Sequence, residues 1–525
     1  MARSKSCAGS VGASFALAVL LCLVVPFKCG EAQTSPDSFS VMETTIPQLQ
    51  AALAKGRISS RDLVSMYLAR IDAYDKKGPS LNAVSVINAK ALEEADKLDG
   101  ERRVGRLRGP LHGIPVIVKD NYETKDMQTA DGSKLLAGWI PPDDAYLVTR
   151  LRSAGAIIIA KSNMHEFARG ITTVGSLFGS TRNPYALDRN PGGSSGGTGA
   201  AIAANFAASG LGTDTCGSVR IPASRNSLVG IRGTQGLASR KGIIPLSHSL
   251  DIGGPIARNV TDVAIMLDAI AGYDPSDSQT AASFHNIPKS YTDSLHRRAL
   301  RGARIGFLKE LLVRDQADEE VAAVIRAAAM EMKNAGAEVF EISIPTLKEQ
   351  LAYRDGETSL LISLDFKFDF DAYLSAHPSA PIRSLADVIS SGIYDPVTED
   401  RLKEAQSHDS RDTKQYFEEL ARRSTLGASI LTAMADNRLD AIAYPTIRRT
   451  ANLIGEGQSG NNCVLSSGSG LPAISVPAGY LNDGVPVGIE LLGRAWSEPQ
   501  LIGLAYDYEQ STRHRRPPAS TPALH

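Results

Sequence analysis

Between Pro191 and Arg220 the chain gathers serine, threonine and glycine at a density that invites a chemical reading. The segment runs Pro191-Gly192-Gly193-Ser194-Ser195-Gly196-Gly197-Thr198-Gly199, then a helix-like Ala200 to Ala208, then Gly212-Thr213-Asp214-Thr215-Cys216-Gly217-Ser218-Val219-Arg220. Glycine at this spacing lets backbone approach a ligand closely and adopt angles closed to other residues. A lone cluster of this kind also reads as a tight turn followed by a linker. Among chemical readings, a phosphate loop ends in Gly-Lys-Ser/Thr, whereas Gly197 is followed by Thr198. A dinucleotide fingerprint needs a small residue where Ile202 stands and a strand just before the glycines. Asn183-Pro184 and Asn190-Pro191 oppose that strand. Gly192-Gly193-Ser194-Ser195-Gly196 formally fits the Gly-x-Ser-x-Gly nucleophile elbow, but the same prolines count against it. Its histidine base would come from His248, His285, His296, His377, His408, His514 or His525, none in a distinctive setting.

The elements around this centre are those of an α/β protein. Gly113-Ile114-Pro115-Val116-Ile117-Val118 is a short apolar run ending at Lys119-Asp120, and Ala156 to Ala160 is another, ending at Lys161. An amphipathic helix is predicted between them, around Ala145 to Ser153. Arg304 to Leu308, Val339 to Ile344, Ala441 to Tyr444 and Ile489 to Leu492 repeat the pattern. Buried runs separated by helices predict a largely parallel sheet covered on both faces. Upstream, Ser59 or Ser60 can cap a helix carrying Leu63, Val64, Tyr67, Leu68 and Ile71 on one face. Residues 317–335 form a strong helical pattern and 348–435 are mostly helical. The 310–435 region is therefore expected to cap one edge of a single large unit. A two-domain split near Gly272 to Ser290 is the lesser reading.

With 56 basic and 57 acidic residues, the chain has no electrostatic footprint for nucleic acid or an acidic membrane. Arg3 and Lys5, the apolar run Phe15 to Phe27, and Gly30-Glu31-Ala32 follow the order of an export signal cleaved after Ala32. The run is short for a spanning helix, which needs about 20 residues. An uncleaved anchor is the alternative. Removing residues 1–32 leaves Cys216 and Cys463, so an exported chain relies on its core rather than on a disulfide framework. The reading is thus a signal at 1–32, a flexible segment at 33–44, one domain at 45–517 and a flexible tail at 518–525, in a secreted or periplasmic protein.

Three ordered blocks carry a resemblance to the amidase signature family of serine hydrolases. They are Gly113 to Asp120, Gly192 to Gly199, and Gly212 to Arg220 with the following Ile221-Pro222-Ala223-Ser224. Gly242-Ile243-Ile244-Pro245, Asp251 to Pro255, Gly470-Leu471-Pro472-Ala473 and Pro486-Val487-Gly488 extend the similarity over about 45–517. The resemblance implies a single α/β fold with a central mixed sheet, helices on both faces and a helical cap region. By position, Ser218 resembles the nucleophile, Ser194 the bridging serine with a cis bond from Gly193, and Lys119 the base. Backbone N–H groups of Thr215, Cys216, Gly217 and Ser218 are implied as the oxyanion hole. The physics fits: a serine needs a base to take its proton, and a lysine serves only if burial lowers its pKa. Lys161 also ends an apolar run and rivals Lys119 on the residues alone; the family pattern selects Lys119.

The neighbours read as structure. Ser195 is expected to bond within the loop, Asp214 and Arg220 to pair, and Asp251 and Arg258 to lock the same region. Cys216 stands where many family members have glycine. A buried thiol is the plain reading, and a bridge to Cys463 stays open. The implied function is hydrolysis of a carboxamide to an acid and ammonia or an amine, through an acyl-enzyme and without metal or organic cofactor. The implied substrates are small-molecule or peptide amides, with no nucleic-acid partner and no stable membrane association after cleavage. Gly109-Pro110-Leu111-His112 and Trp496-Ser497-Glu498-Pro499 lean toward peptide amidases, so C-terminal peptide amides lead and aryl acylamides follow. The rivals are a non-catalytic binding protein on the same fold and a glutamine-amidotransferase-like subunit. Pocket walls are expected from Phe366 to Tyr373 and from 455–470.

Overall fold

In the computed structural model, which describes residues 39–351 and 359–524, the apolar runs become strands of one sheet. The strands are β1 (Val84–Ile87), β2 (Pro115–Lys119), β3 (Ile157–Ser162), β4 (Ser209–Thr213), β5 (Val229–Arg232), β6 (Gly253–Ala257), β7 (Arg304–Leu308), β8 (Glu338–Ile342), β9 (Ala441–Pro445), β10 (Ala473–Tyr480) and β11 (Pro486–Leu492). They lie in the order β1-β3-β2-β4-β6-β5-β10-β11-β9-β7-β8. The expected α/β fold with helices flanking a mixed sheet is present. The apolar runs had suggested a largely parallel sheet, and that is corrected. β2 is parallel to β3 and β4, and β7 to β8 and β9. The pairings β1–β3, β4–β6, β5–β6, β5–β10, β10–β11 and β9–β11 are antiparallel. A strand buried on both faces loses its polar alternation whichever way its neighbour runs, so apolar runs alone do not report direction.

The glycines of the centre serve close packing. The helix Gly196–Ala203 is buried along its whole length against β4. A side chain at Gly197 would lie 2.1 Å from the Asn163 carbonyl oxygen, and one at Gly210 would lie 2.5 Å from Thr198. Helix and sheet can therefore touch only where side chains are missing. This contact brings the Ser194 loop down onto the carboxyl ends of β2 and β4, the end of an open α/β sheet where ligands bind.

The cap is smaller than expected. The helix Glu319–Asn334 packs on the sheet, and β8 is an edge strand, so both belong to the body. The cap proper contains Leu361–Ala376, Leu385–Ser391, Glu399–Gln406 and Lys414–Asp436. Its first helix buries Phe366, Phe370 and Leu374 against Phe167, Met164 and Leu246. Phe167 meets Phe370 edge-on with ring centres 5.6 Å apart.

Ser40–His525 forms one compact unit, with no division near Gly272 to Ser290. The signal at 1–32 and residues 33–38 lie outside the described residues. At the start of the described chain, the Glu43 N–H donates to Asn205 Oδ1 at 2.8 Å, and the Arg515 guanidinium pairs with the Glu43 carboxylate. The 518–524 tail, expected to be flexible, is held. Buried Arg70 donates to the carbonyls of Thr521 and Pro522 at 2.8 Å each, and Ser520 donates to the Pro184 carbonyl at 2.6 Å. Among the described residues no helix is long and apolar enough to cross a membrane.

Candidate active site

Lys119 is the last residue of β2 and is fully buried. Its Nζ donates to Ser194 Oγ at 2.7 Å and to Thr213 Oγ1, at the end of β4, also at 2.7 Å. Burial disfavours the ammonium and brings the Lys119 pKa down to about 7, against an opposing pull from the carboxyls of Asp131, Asp251 and Asp214. A substantial fraction is therefore neutral amine near neutral pH, able to accept a proton from a hydroxyl. Lys161 has other work: its Nζ donates to the Tyr122 and Gln128 carbonyls and to Thr129 Oγ1, and lies 3.3 Å from Asp120. The geometry thus separates the two lysines that the apolar runs left level.

The Gly193–Ser194 peptide bond is cis. The Ser194 carbonyl accepts the His165 N–H at 3.0 Å, and the adjacent Ser195 N–H donates to the Ser218 carbonyl at 3.3 Å. Lys119, Ser194 and Ser218 are so brought to one place. Ser195 Oγ donates to the Thr213 carbonyl at 3.2 Å, the loop-bonding role expected of it. Two residues that the sequence reading passed over complete this cradle. Thr173 Oγ1 donates to the Gly192 carbonyl at 2.7 Å and accepts the Gly196 N–H at 3.0 Å, while the Thr173 N–H donates to His165 Nδ1 at 3.2 Å. Thr173 has φ of +60°, a backbone conformation that nothing in its local sequence announces.

Ser218 sits between β4 and the short helix Arg220–Arg225. The loop before it is organised by Asp214, which accepts the N–H groups of Gly217 at 2.8 Å and Val219 at 3.2 Å. Burial pushes the Asp214 carboxyl up, but the Arg220 and Arg232 guanidiniums outweigh this and hold it well below the usual carboxylate range. Arg220 also pairs with Glu490, which accepts the Tyr444 hydroxyl at 2.6 Å. Asp251 accepts Thr215 Oγ1–H at 2.5 Å and the N–H groups of Leu246 and Ser247. Arg258, expected to lock this region, does not. It donates instead to the carbonyls of Ile202 and Ala207, at and beyond the C-terminal end of the helix Gly196–Ala203, and to that of Thr44.

These bonds bear on the N–H groups expected of an oxyanion hole. Gly217, expected as a donor, has its N–H committed to the Asp214 carboxylate. The N–H groups of Thr215, Cys216 and Ser218 donate to no acceptor among the described residues. Gly217, at φ +84°, still has to be glycine, since a side chain there would lie 2.9 Å from Cys463 Cβ and 2.7 Å from Ile221 Cδ1. Cys216 and Cys463 form a disulfide with Cα atoms 5.0 Å apart, in place of the buried thiol that the plain reading favoured.

A cavity of about 170 Å³ opens at Ser218, with Thr215, Arg169, Ser363, Gln458 and Asn461 among its walls. The 455–470 stretch contributes as expected. From the cap helix it is Ile362 and Ser363 that face the cavity, whereas Phe366 and Phe370 are turned into the apolar core. The cap's large aromatic side chains gain more from burial against Phe167 than from lining a wet pocket.

The profile of a family described as Amidase matches residues 62–502. A probable amidase of Arabidopsis thaliana is 36% identical, with 92% of each chain covered. A glutamyl-tRNA(Gln) amidotransferase subunit of Moorella thermoacetica is 37% identical over 90% of this chain and 98% of its own. Among solved structures, native peptide amidase from Stenotrophomonas maltophilia superposes with a TM-score of 0.85 at 41% identity, covering 92% of this chain and 99% of that one.

Proposed function

Since this chain belongs to the Amidase family and is an amide-hydrolysing enzyme, we propose that it is exported and cleaves C-terminal amides of peptides, with aryl acylamides as second substrates. The observation that carries the chemistry is the 2.7 Å contact between Ser194 Oγ and a Lys119 whose pKa lies about 7. In this reading neutral Lys119 takes the Ser194 proton as Ser194 takes that of Ser218. Ser218 Oγ then attacks the amide carbonyl carbon. The tetrahedral oxyanion is met by the N–H groups of Thr215, Cys216 and Ser218, donors of a kind worth about 3 kcal/mol each to a transition state. Collapse breaks the C–N bond, and the proton held on Lys119 returns through Ser194 to the leaving nitrogen. Water, deprotonated by the same route, hydrolyses the acyl-enzyme and restores Ser218.

Support for peptide amides comes from the 41% identity to a peptide amidase over nearly the whole of both chains. The likeness to an amidotransferase subunit favours a second reading, in which the chain works with partner subunits. The basic start and apolar run before Ala32 favour export over it, and a disulfide beside the nucleophile suits an oxidising compartment. The test is release of ammonia or amine from peptide amides, anilides and fatty amides, with Ser218→Ala as blank. Turnover of peptide amides that disappears in the variant is expected. Turnover confined to glutamine in the presence of a partner subunit would overturn the substrate assignment. An N-terminus at Gln33 in protein recovered outside the cytoplasm is expected from export, and an intact Met1 in the cytoplasm contradicts it.

A further inference from the structure

Cys216 holds two positions at once. Its N–H, with those of Thr215 and Ser218, is one of three in this loop that meet no acceptor among the described residues, and its side chain is bonded to a residue 247 positions away. Cys463 ends the loop that supplies Gln458 and Asn461 to the cavity, and it begins the helix Val464–Ser469. The attachment on that side is firm. The Cys463 N–H donates to Asn461 Oδ1 at 3.3 Å, and its carbonyl accepts Arg220 Nη2–H at 3.4 Å and Ser467 Oγ–H at 3.0 Å. Arg220 is itself held by Asp214, the residue that shapes the nucleophile loop. Cys463 Cβ also backs Gly217 so closely that no side chain fits there.

Thr215 on one flank of Cys216 is fixed by Asp251, and Gly217 on the other by Asp214. The Cys216 N–H itself donates to no acceptor among the described residues. The bridge is its tether. Resting on the reading of Ser218 as nucleophile, we propose that Cys463 is a positioning residue for the oxyanion hole, acting through the disulfide to aim the Cys216 N–H at the tetrahedral intermediate and to keep that donor in register with the Gln458–Asn461 wall. An oxyanion donor acts mainly in the transition state. Loss of the tether should therefore lower kcat and leave substrate binding nearly as it was.

Two independent ways of opening the bridge test this on the mature protein. One is dithiothreitol, whose two thiols close to a cyclic disulfide while Cys216 and Cys463 each gain one electron and one proton. The other is Cys463→Ala, with the double variant Cys216→Ala/Cys463→Ala alongside. Peptide-amide kinetics are measured below the lowered melting temperature of each form, with circular dichroism confirming the fold. The expected result is a fall of about tenfold or more in kcat with KM within about threefold, recovered by the wild type, but not by Cys463→Ala, on reoxidation. Unchanged kcat in the folded, reduced protein would overturn the proposal. So would a rise in KM alone, or a loss of kcat that appears only together with loss of the dichroism signal, since the bridge would then be a staple and nothing more. Turnover by oxidised wild type that vanishes in Ser218→Ala checks the amidase reading separately, so the two can fail apart.

Discussion

At the scale of single residues the account turns on the proton inventory of Lys119. An amine that must be neutral to act, with a pKa brought down to about 7 by burial, makes the pH dependence of the free enzyme predictable. kcat/KM should rise with pH through a single acidic limb centred at about 7, because below it Lys119 carries the proton that it has to accept. Lys119→Ala should lower kcat by roughly 10³-fold, the middle of the range for a positioned base, and should remove that limb. A profile flat from pH 5 to 9 in the wild type would dissociate Lys119 from the chemistry. Both serines and this lysine were legible in the sequence through the three family blocks. Thr173 and His165 were not, because a threonine at positive φ and a histidine used through Nδ1 and its backbone leave no pattern in a linear string. The commitment of the Gly217 N–H to Asp214 was hidden for the same reason, since it depends on where a carboxylate three residues away is aimed.

At the scale of elements, the first cap helix is fastened to the loop that carries Asp251. Ser247 donates to Asp365 at 2.6 Å, the His248 N–H donates to Asp369 at 2.7 Å, and His248 Nδ1 lies 3.3 Å from the same carboxylate, which Arg411 also contacts. Burial works to lower the His248 pKa, but the hydrogen bond to Asp369 outweighs it, and the group stands above its ordinary 6.5. Burial likewise raises Asp369, and the His248 bond reverses that to below 3.8. A raised histidine contributes stability that is full below about 6.5 and lost as pH rises through its folded pKa. A depressed aspartate contributes above about 3.8 and loses it as pH falls. The latch is thus strongest between those values. Asp369→Asn should lower the melting temperature more at pH 5.5 than at pH 8.5, and an equal drop at both would show that His248 takes no part. The cap's extent was misread because a pattern of helices does not say which of them rests on the sheet. β4, β5, β6 and β10 were absent from the run-based reading; in β4 and β6, Ser-Gly-Leu-Gly-Thr and Gly-Gly-Pro-Ile-Ala hide strands in residues of low β-propensity.

At the scale of the whole molecule, both ends of the compact unit are tied to its middle. Arg70 joins the second helix, Ser60–Tyr74, to the Ala204 carbonyl at 2.8 Å and to the tail carbonyls of Thr521 and Pro522. Deleting residues 518–525 removes two acceptors from a buried guanidinium. It should destabilise the protein by about 2 kcal/mol or more, read as a lower denaturant midpoint at unchanged slope, with kcat unaffected. An unchanged midpoint would make the tail incidental. About half of the sheet's strands were visible in the sequence, because runs such as Ile114 to Val118 and Ile157 to Ala160 are too apolar to lie anywhere but inside. The Cys216–Cys463 bridge was an open alternative there, since a separation of 247 residues says nothing about distance in space.

The central claim is that Ser218, and no other hydroxyl, attacks the substrate. Intact-protein and peptide mass spectrometry after exposure to a fluorophosphonate measures this directly, because only an activated serine forms the stable adduct. One adduct per chain, mapped to Ser218, absent from Ser218→Ala and much slower to form in Lys119→Ala, is the predicted result. An adduct on Ser194 or Ser195, or full amide turnover with Ser218 unmodified, would contradict the account.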